Sequence, residues 1–103
     1  IEVDNYRLEL ESCECVGGTH SLFAYNNSSV EARNSTFRNS SRAGVSLSSG
    51  TQALFQSCKF IENQEDGLCV CGFSADRSPA GTAATLEACS LSSNHACGLQ
   101  VLA

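Results

Sequence analysis

The feature that most constrains this chain is that it repeats itself. Residues 53–70 read ALFQSCKFIENQEDGLCV. The same grammar returns at 30–47 (VEARNSTFRNSSRAGVSL), at 84–101 (ATLEACSLSSNHACGLQV) and, one residue shorter, at 8–24 (LELESCECVGGTHSLFA). Aligned, the units form columns. Two apolar columns hold Leu8, Val30, Ala53, Ala84 and Leu10, Ala32, Phe55, Leu86. A small-residue column follows, Cys13, Ser35, Cys58, Cys89, then a bulky one, Cys15, Phe37, Phe60, Leu91. After a polar break come Ser21, Gly44, Gly67, Gly98 and two more apolar columns, Leu22, Val45, Leu68, Leu99 and Ala24, Leu47, Val70, Val101. The units recur every twenty-odd residues. One longer step, before Ala84, holds an insertion at 72–83, GFSADRSPAGTA.

Self-similarity of this length is the mark of stacked structural units. Within a unit the apolar residues alternate, which is the period of a strand and not of a helix. Each unit has three such pieces, separated by polar or glycine breaks. None is long enough for the helical crossover that joins parallel strands in an open sheet. A coil with three short strands per turn meets all of these conditions. Each strand then pairs with its equivalent one turn above and below, and alternate side chains stack in an enclosed core. The expected fold is all-β, a parallel β-helix (solenoid) of about four coils, three short strands per coil, with residues 1–103 as a single segment.

The units SCKF, NSTF and EACSL, the segments opening at Gly44, Gly67 and Gly98, and the aligned Asn63 and Asn94 resemble the right-handed parallel β-helix of the pectate-lyase-like superfamily, which implies a right-handed coil. The resemblance spans residues 8–103. It implies the fold but no single activity, because that superfamily includes lyases, hydrolases, epimerases, phage spikes and non-catalytic scaffolds. Four coils at strand spacing make a stub of only about 20 Å. Terminal coils normally carry polar caps. The stretch Leu99–Ala103 ends within an apolar strand, and no amphipathic helix precedes Leu8, so a longer parent chain is expected.

A net charge of −5 argues against a nucleic-acid partner. No apolar run reaches the length of a membrane-spanning helix. Seven cysteines leave at least one thiol unpaired within the chain. Cys13, Ser35, Cys58 and Cys89, with Phe37, Phe60 and Leu91, are read as a stacked core ladder in which thiols behave as small apolar groups. Cys69 and Cys71 should face outward, and they or Cys97 are open to disulfide pairing. Cys13-Glu14-Cys15 with His20 falls short of a metal-ligand pattern, which needs a second pair at workable spacing. Ser93, His95 and Cys97 share one turn, a poor geometry for an activated thiol. No metal or cofactor is expected.

Asn26, Asn27, Asn34 and Asn39 each begin an acceptor triplet, but Ser/Asn-rich turns produce these without modification. Glu62, Glu65 and Asp66 are read as a solvated turn. Arg33, Arg38 and Arg42 give the second coil a basic patch beside Glu9, Glu11 and Glu31, for which surface ion pairs between coils, worth little each, are the simpler account.

Two functional readings follow. The first is a non-catalytic module, a rigid scaffold that meets a protein partner in a larger assembly. Its candidate contacts are the insertion (Phe73, Asp76, Arg77, Pro79) and a surface patch of Glu9, Glu11, Glu31, Arg33, Phe23 and Tyr25. The second, from resemblance alone, is a carbohydrate-active or carbohydrate-binding β-helix. The outward positions carry acids and one arginine on one face, and aromatics, serines and thiols on another. Neither holds the aspartate–arginine cluster such enzymes use, so the scaffold reading is preferred. A walled cleft gathering two carboxylates and Arg33 would reverse that preference.

Overall fold

The computed structural model describes residues 1–71, 82–96 and 98–102. Phe73, Asp76, Arg77, Pro79 and Cys97 therefore lie outside the described residues. The first coil runs through β1 (Glu2–Asp4), β2 (Arg7–Glu11) and β3 (Glu14–Val16). The second contains β4 (Leu22–Tyr25), β5 (Ser29–Arg33) and β6 (Thr36–Arg38). The third contains β7 (Val45–Leu47), β8 (Gln52–Gln56) and β9 (Lys59–Ile61). The fourth contains β10 (Leu68–Cys71), β11 (Ala83–Glu87) and β12 (Ser90–Ser92), and β13 (Leu99–Leu102) follows.

Equivalent strands pair in parallel and build three sheets: β1-β4-β7-β10-β13 (sheet I), β2-β5-β8-β11 (sheet II) and β3-β6-β9-β12 (sheet III). The register matches the sequence columns. Leu8, Val30, Ala53 and Ala84 are successive partners, as are Leu10, Ala32, Phe55 and Leu86. Cys15, Phe37, Phe60 and Leu91 do the same on sheet III.

The core sits where the three sheets face one another. Phe37, Phe55 and Phe60 are each fully buried. Phe37 and Phe60 stack with centroids 5.3 Å apart, and Phe55 meets both edge-on. Two lead-in residues divide. Val3, in β1, is buried in the core, and Tyr6, past the end of that strand, is 76% exposed.

Single left-handed residues turn the corners. Between sheets II and III they are Ser12, Asn34, Ser57 and Ala88, with φ from 53° to 54°. The chain changes direction there without interrupting the ladder: the N–H of Ser12 reaches the Arg33 carbonyl (2.9 Å), Asn34 that of Gln56 and Ser57 that of Glu87. Asn26, Asn27 and Asn39 also have positive φ. All four candidate acceptor asparagines thus occupy the conformation that Asn tolerates better than most residues.

Between sheets III and I the corner turns a polar residue inward. Asn63 is fully buried. Its Oδ1 accepts from the Ser40 N–H (3.0 Å), and its Nδ2 donates to Asn94 Oδ1 (2.9 Å). This explains the glycine column. A Cβ on Gly44 would lie 2.6 Å from Asn63 Nδ2, and one on Gly67 would lie 2.7 Å from Asn94 Nδ2. In the preceding unit the inner residue is the smaller Ser40, which leaves room for Ser21; their hydroxyls hydrogen-bond at 2.7 Å.

The small-residue column shares a bonding scheme and is not a run of thiols. Cys13, Ser35, Cys58 and Cys89 each donate to the carbonyl two residues earlier, respectively Glu11, Arg33, Gln56 and Glu87. Ser35 interrupts the sulfurs, and Cys13 is exposed. Cys15 belongs to a different column, on sheet III. Burial pushes the Cys15 and Cys58 thiols up, away from the reactive thiolate.

Candidate functional site

Outward side chains of sheet II form an open, flat strip. Glu9, Glu11 and Arg33 are exposed and Glu31 is half-buried. Their charges are spent on one another. Arg7 pairs with Glu9 at 2.6 Å and with Glu31 at 3.8 Å, and Arg33 pairs with Glu31. Glu11 stands opposite Arg33 in the strand register. Across the coils, Arg33 Nε donates to Gln56 Oε1 (3.0 Å) and Gln56 Nε2 to Glu87 Oε2 (2.9 Å). The concavity beside Arg33 is a shallow one of about 310 Å³ whose carboxylate is Glu87.

The expected basic patch does not form. Arg33 lies on sheet II. Arg38 is on sheet III, paired with Glu14, and Arg42 is at the next corner, 3.0 Å from Glu65. A three-sided coil sends residues four or five apart in the chain to different faces. The acidic turn also divides. Glu62 is exposed at a left-handed corner and Glu65 is exposed in its ion pair, but Asp66 is only 6% exposed, not solvated. Its carbonyl receives the Gly44 N–H of the preceding coil at 2.9 Å.

Sheet I carries the more distinctive surface. Phe23 and Tyr25 alternate with the buried Leu22 and Ala24, so both rings stand outward, half-exposed. Their centroids are 5.1 Å apart with planes at 80°, and the His20 ring lies 5.2 Å from Phe23. His20 Nδ1 sits 3.1 Å from the Ala43 carbonyl, so this nitrogen carries the proton and holds the ring in place. An open groove of about 820 Å³ runs over this row, with Glu2, Asn26 and Arg42 among its lining residues. A smaller concavity of about 230 Å³ continues past His20 and Arg42 toward Ser46 and Glu65.

Strand register places Glu2 beside Phe23 and Asp4 beside Tyr25. The Tyr25 hydroxyl donates to Glu2 Oε1 at 2.5 Å, and Asn26 Nδ2 donates to Asp4 Oδ1 at 2.8 Å. The bond to the carboxylate pushes the Tyr25 phenol up to about 12.

The candidate residues thus separate into two surfaces: Glu9, Glu11, Glu31 and Arg33 on sheet II, Phe23 and Tyr25 on sheet I. Sequence reasoning missed Glu2, Asp4, His20 and Arg42 as companions of the aromatic pair. Alternation in Ile1-Glu2-Val3-Asp4 is the one local signal for the first two. No pattern in the chain announces the approach of His20. Among the described residues, no group of three or more His, Cys, Asp or Glu side chains converges as a metal site. No helix of the described residues is long and apolar enough to cross a membrane.

A family model described as the right-handed beta helix region matches residues 1–103. The chain belongs to that family, consistent with the pectate-lyase-like superfamily. No curated protein and no solved structure matches it.

Proposed function

We propose that this chain is a non-catalytic β-helix module, a rigid scaffold that presents sheet I to a protein partner within a larger assembly. The observation that carries this reading is the aromatic row His20–Phe23–Tyr25, standing out from a regular sheet along an open groove. Tyrosine and phenylalanine are enriched where proteins meet. Strands pinned from both sides hold such rings at little further ordering cost. The charged strip of sheet II fits a supporting role, since Arg7 and Arg33 are paired with Glu9 and Glu31 within and between neighbouring strands. The insertion, with Phe73, Asp76, Arg77 and Pro79, is offered as a second contact.

A carbohydrate ligand is the other reading. Aromatic rings beside Glu2, Asn26 and Arg42 in an open groove are residue types that also serve sugars. The test places a photo-cross-linking amino acid at position 25 of the full-length protein, with position 54 on sheet II as control. The expected result is a polypeptide adduct from position 25 alone. Phe23 and Tyr25 resonances that shift with added oligosaccharide, without a polypeptide adduct, would replace the first reading by the second.

A further inference from the structure

The acids of this molecule are not all used alike. Glu9, Glu14, Glu31 and Glu65 each have an arginine partner. Among the described residues, Glu2 and Asp4 have no ion-pair partner. Instead each is oriented by a neutral donor, Glu2 by the Tyr25 hydroxyl and Asp4 by the Asn26 amide. A neutral donor fixes a carboxylate without cancelling its charge. Each of these bonds engages one oxygen, so the other remains for a ligand.

These two carboxylates stand directly beside exposed aromatic rings, through the pairing of β1 with β4. Because the planes of Phe23 and Tyr25 lie 80° apart, the row is folded into a corner and is not a flat plate. A corner of π-faces next to negative charge suits a compact cation: ring faces attract an ammonium or guanidinium, and a nearby carboxylate adds Coulomb attraction. Arg42, which also lines the groove, is paired with Glu65 at 3.0 Å, so its charge is offset by a carboxylate. The net charge of −5 draws a basic segment toward the molecule.

We propose that the groove over sheet I binds a cationic side chain of a basic partner segment, an arginine, lysine or methylated lysine, seated against Phe23 and Tyr25 and facing Glu2 and Asp4. This rests on sheet I being the contact face and names the chemistry that face selects. The raised Tyr25 phenol is consistent with it, since a protonated hydroxyl keeps Glu2 in place.

The experiment titrates the full-length protein with an oligo-arginine peptide and, separately, with tetramethylammonium chloride, following amide and aromatic resonances. Three double variants are compared. Glu2→Gln/Asp4→Asn removes the charges, Phe23→Leu/Tyr25→Leu keeps apolar bulk but removes the π-faces, and Glu9→Gln/Glu87→Gln removes two acids from sheet II. The first two are expected to weaken peptide binding about tenfold, the last less than about twofold. Tetramethylammonium should shift the Phe23 and Tyr25 rings in the parent protein and in the sheet II variant, but not in Glu2→Gln/Asp4→Asn. Equal weakening by the sheet II variant would mean a general field effect and overturn the proposal; so would absence of binding to either probe. If the position-25 cross-link to a polypeptide survives Glu2→Gln/Asp4→Asn unchanged, the contact face stands and cation recognition falls. Circular dichroism and the melting temperature of each variant verify that the fold is intact.

Discussion

Asn63 shows how much depends on one buried amide. It is fully buried, its amide nitrogen donates to Asn94 Oδ1 and the Phe37 carbonyl, and its amide oxygen receives the Ser40 N–H. Replacing it with leucine, close in volume, would leave the Ser40 N–H and the Phe37 carbonyl without these bonds. Each orphaned group costs about 1–3 kcal/mol, so Asn63→Leu should lose at least that much in urea unfolding. A loss below about 0.5 kcal/mol would show that water or a shifted corner replaces the amide. Tyr25 offers a second test at this scale. Its folded value is raised above the ordinary 10.0, so the stabilising contribution of its bond to Glu2 is fully present below that pH and is lost as pH rises through about 12. In a Tyr6→Phe background, which leaves a single tyrosine, Glu2→Gln should move the phenolate absorbance transition down toward the ordinary value. An unmoved transition would mean that the Glu2 bond is not the cause.

The strands are short, most of them three to five residues, and the corners decide their spacing. The corner between sheets II and III takes Ser12, Asn34, Ser57 and Ala88 at nearly one φ. A left-handed backbone costs an ordinary residue about 1–2 kcal/mol, and glycine escapes that cost. Ala88→Gly should therefore stabilise the protein by about 0.5 kcal/mol after the larger entropy of the unfolded glycine is subtracted. Asn34→Val should destabilise it by more than about 1 kcal/mol. Opposite signs in denaturant unfolding are the expected signature, and matching signs would mean the corner is relaxed. Sheet III depends on its ring column. Phe60 lies against Phe37 and Phe55 with no exposure, and Phe60→Ala should cost about 3–5 kcal/mol. A loss under about 1 kcal/mol would place Phe60 outside the core.

In the whole molecule, each coil is held only by the coils above and below it, so stability follows local packing. Among the described residues, all three buried phenylalanines lie in the second and third coils. Inward positions of β5 and β8 are buried, whereas those of β11 are half-exposed. Native-state hydrogen exchange should therefore be slower in β5 and β8 than in β11. Uniform protection would indicate a single cooperative unit in place of a stack. The fold was readable before any coordinates because stacking converts one repeat in the chain into one step along an axis. Val30 then stands over Leu8, and Phe60 over Phe37, by translation alone. The site was readable only in part. Phe23 and Tyr25 follow from alternation, but their neighbours are one coil away and their partners across the corner are not repeated.

The residues by themselves determined the architecture: the period, the three faces and the inward columns. These follow from side-chain parity along a strand, which is local. Only the tertiary structure decided which outward groups meet. It put Arg33 and Arg38 on different faces and Arg42 at a corner, buried Asp66, and set Glu2 and Asp4 beside Phe23 and Tyr25. The physical reason is that outward side chains carry no packing constraint that their own segment can express. Their neighbours are set by the register between coils and by the turn at each corner.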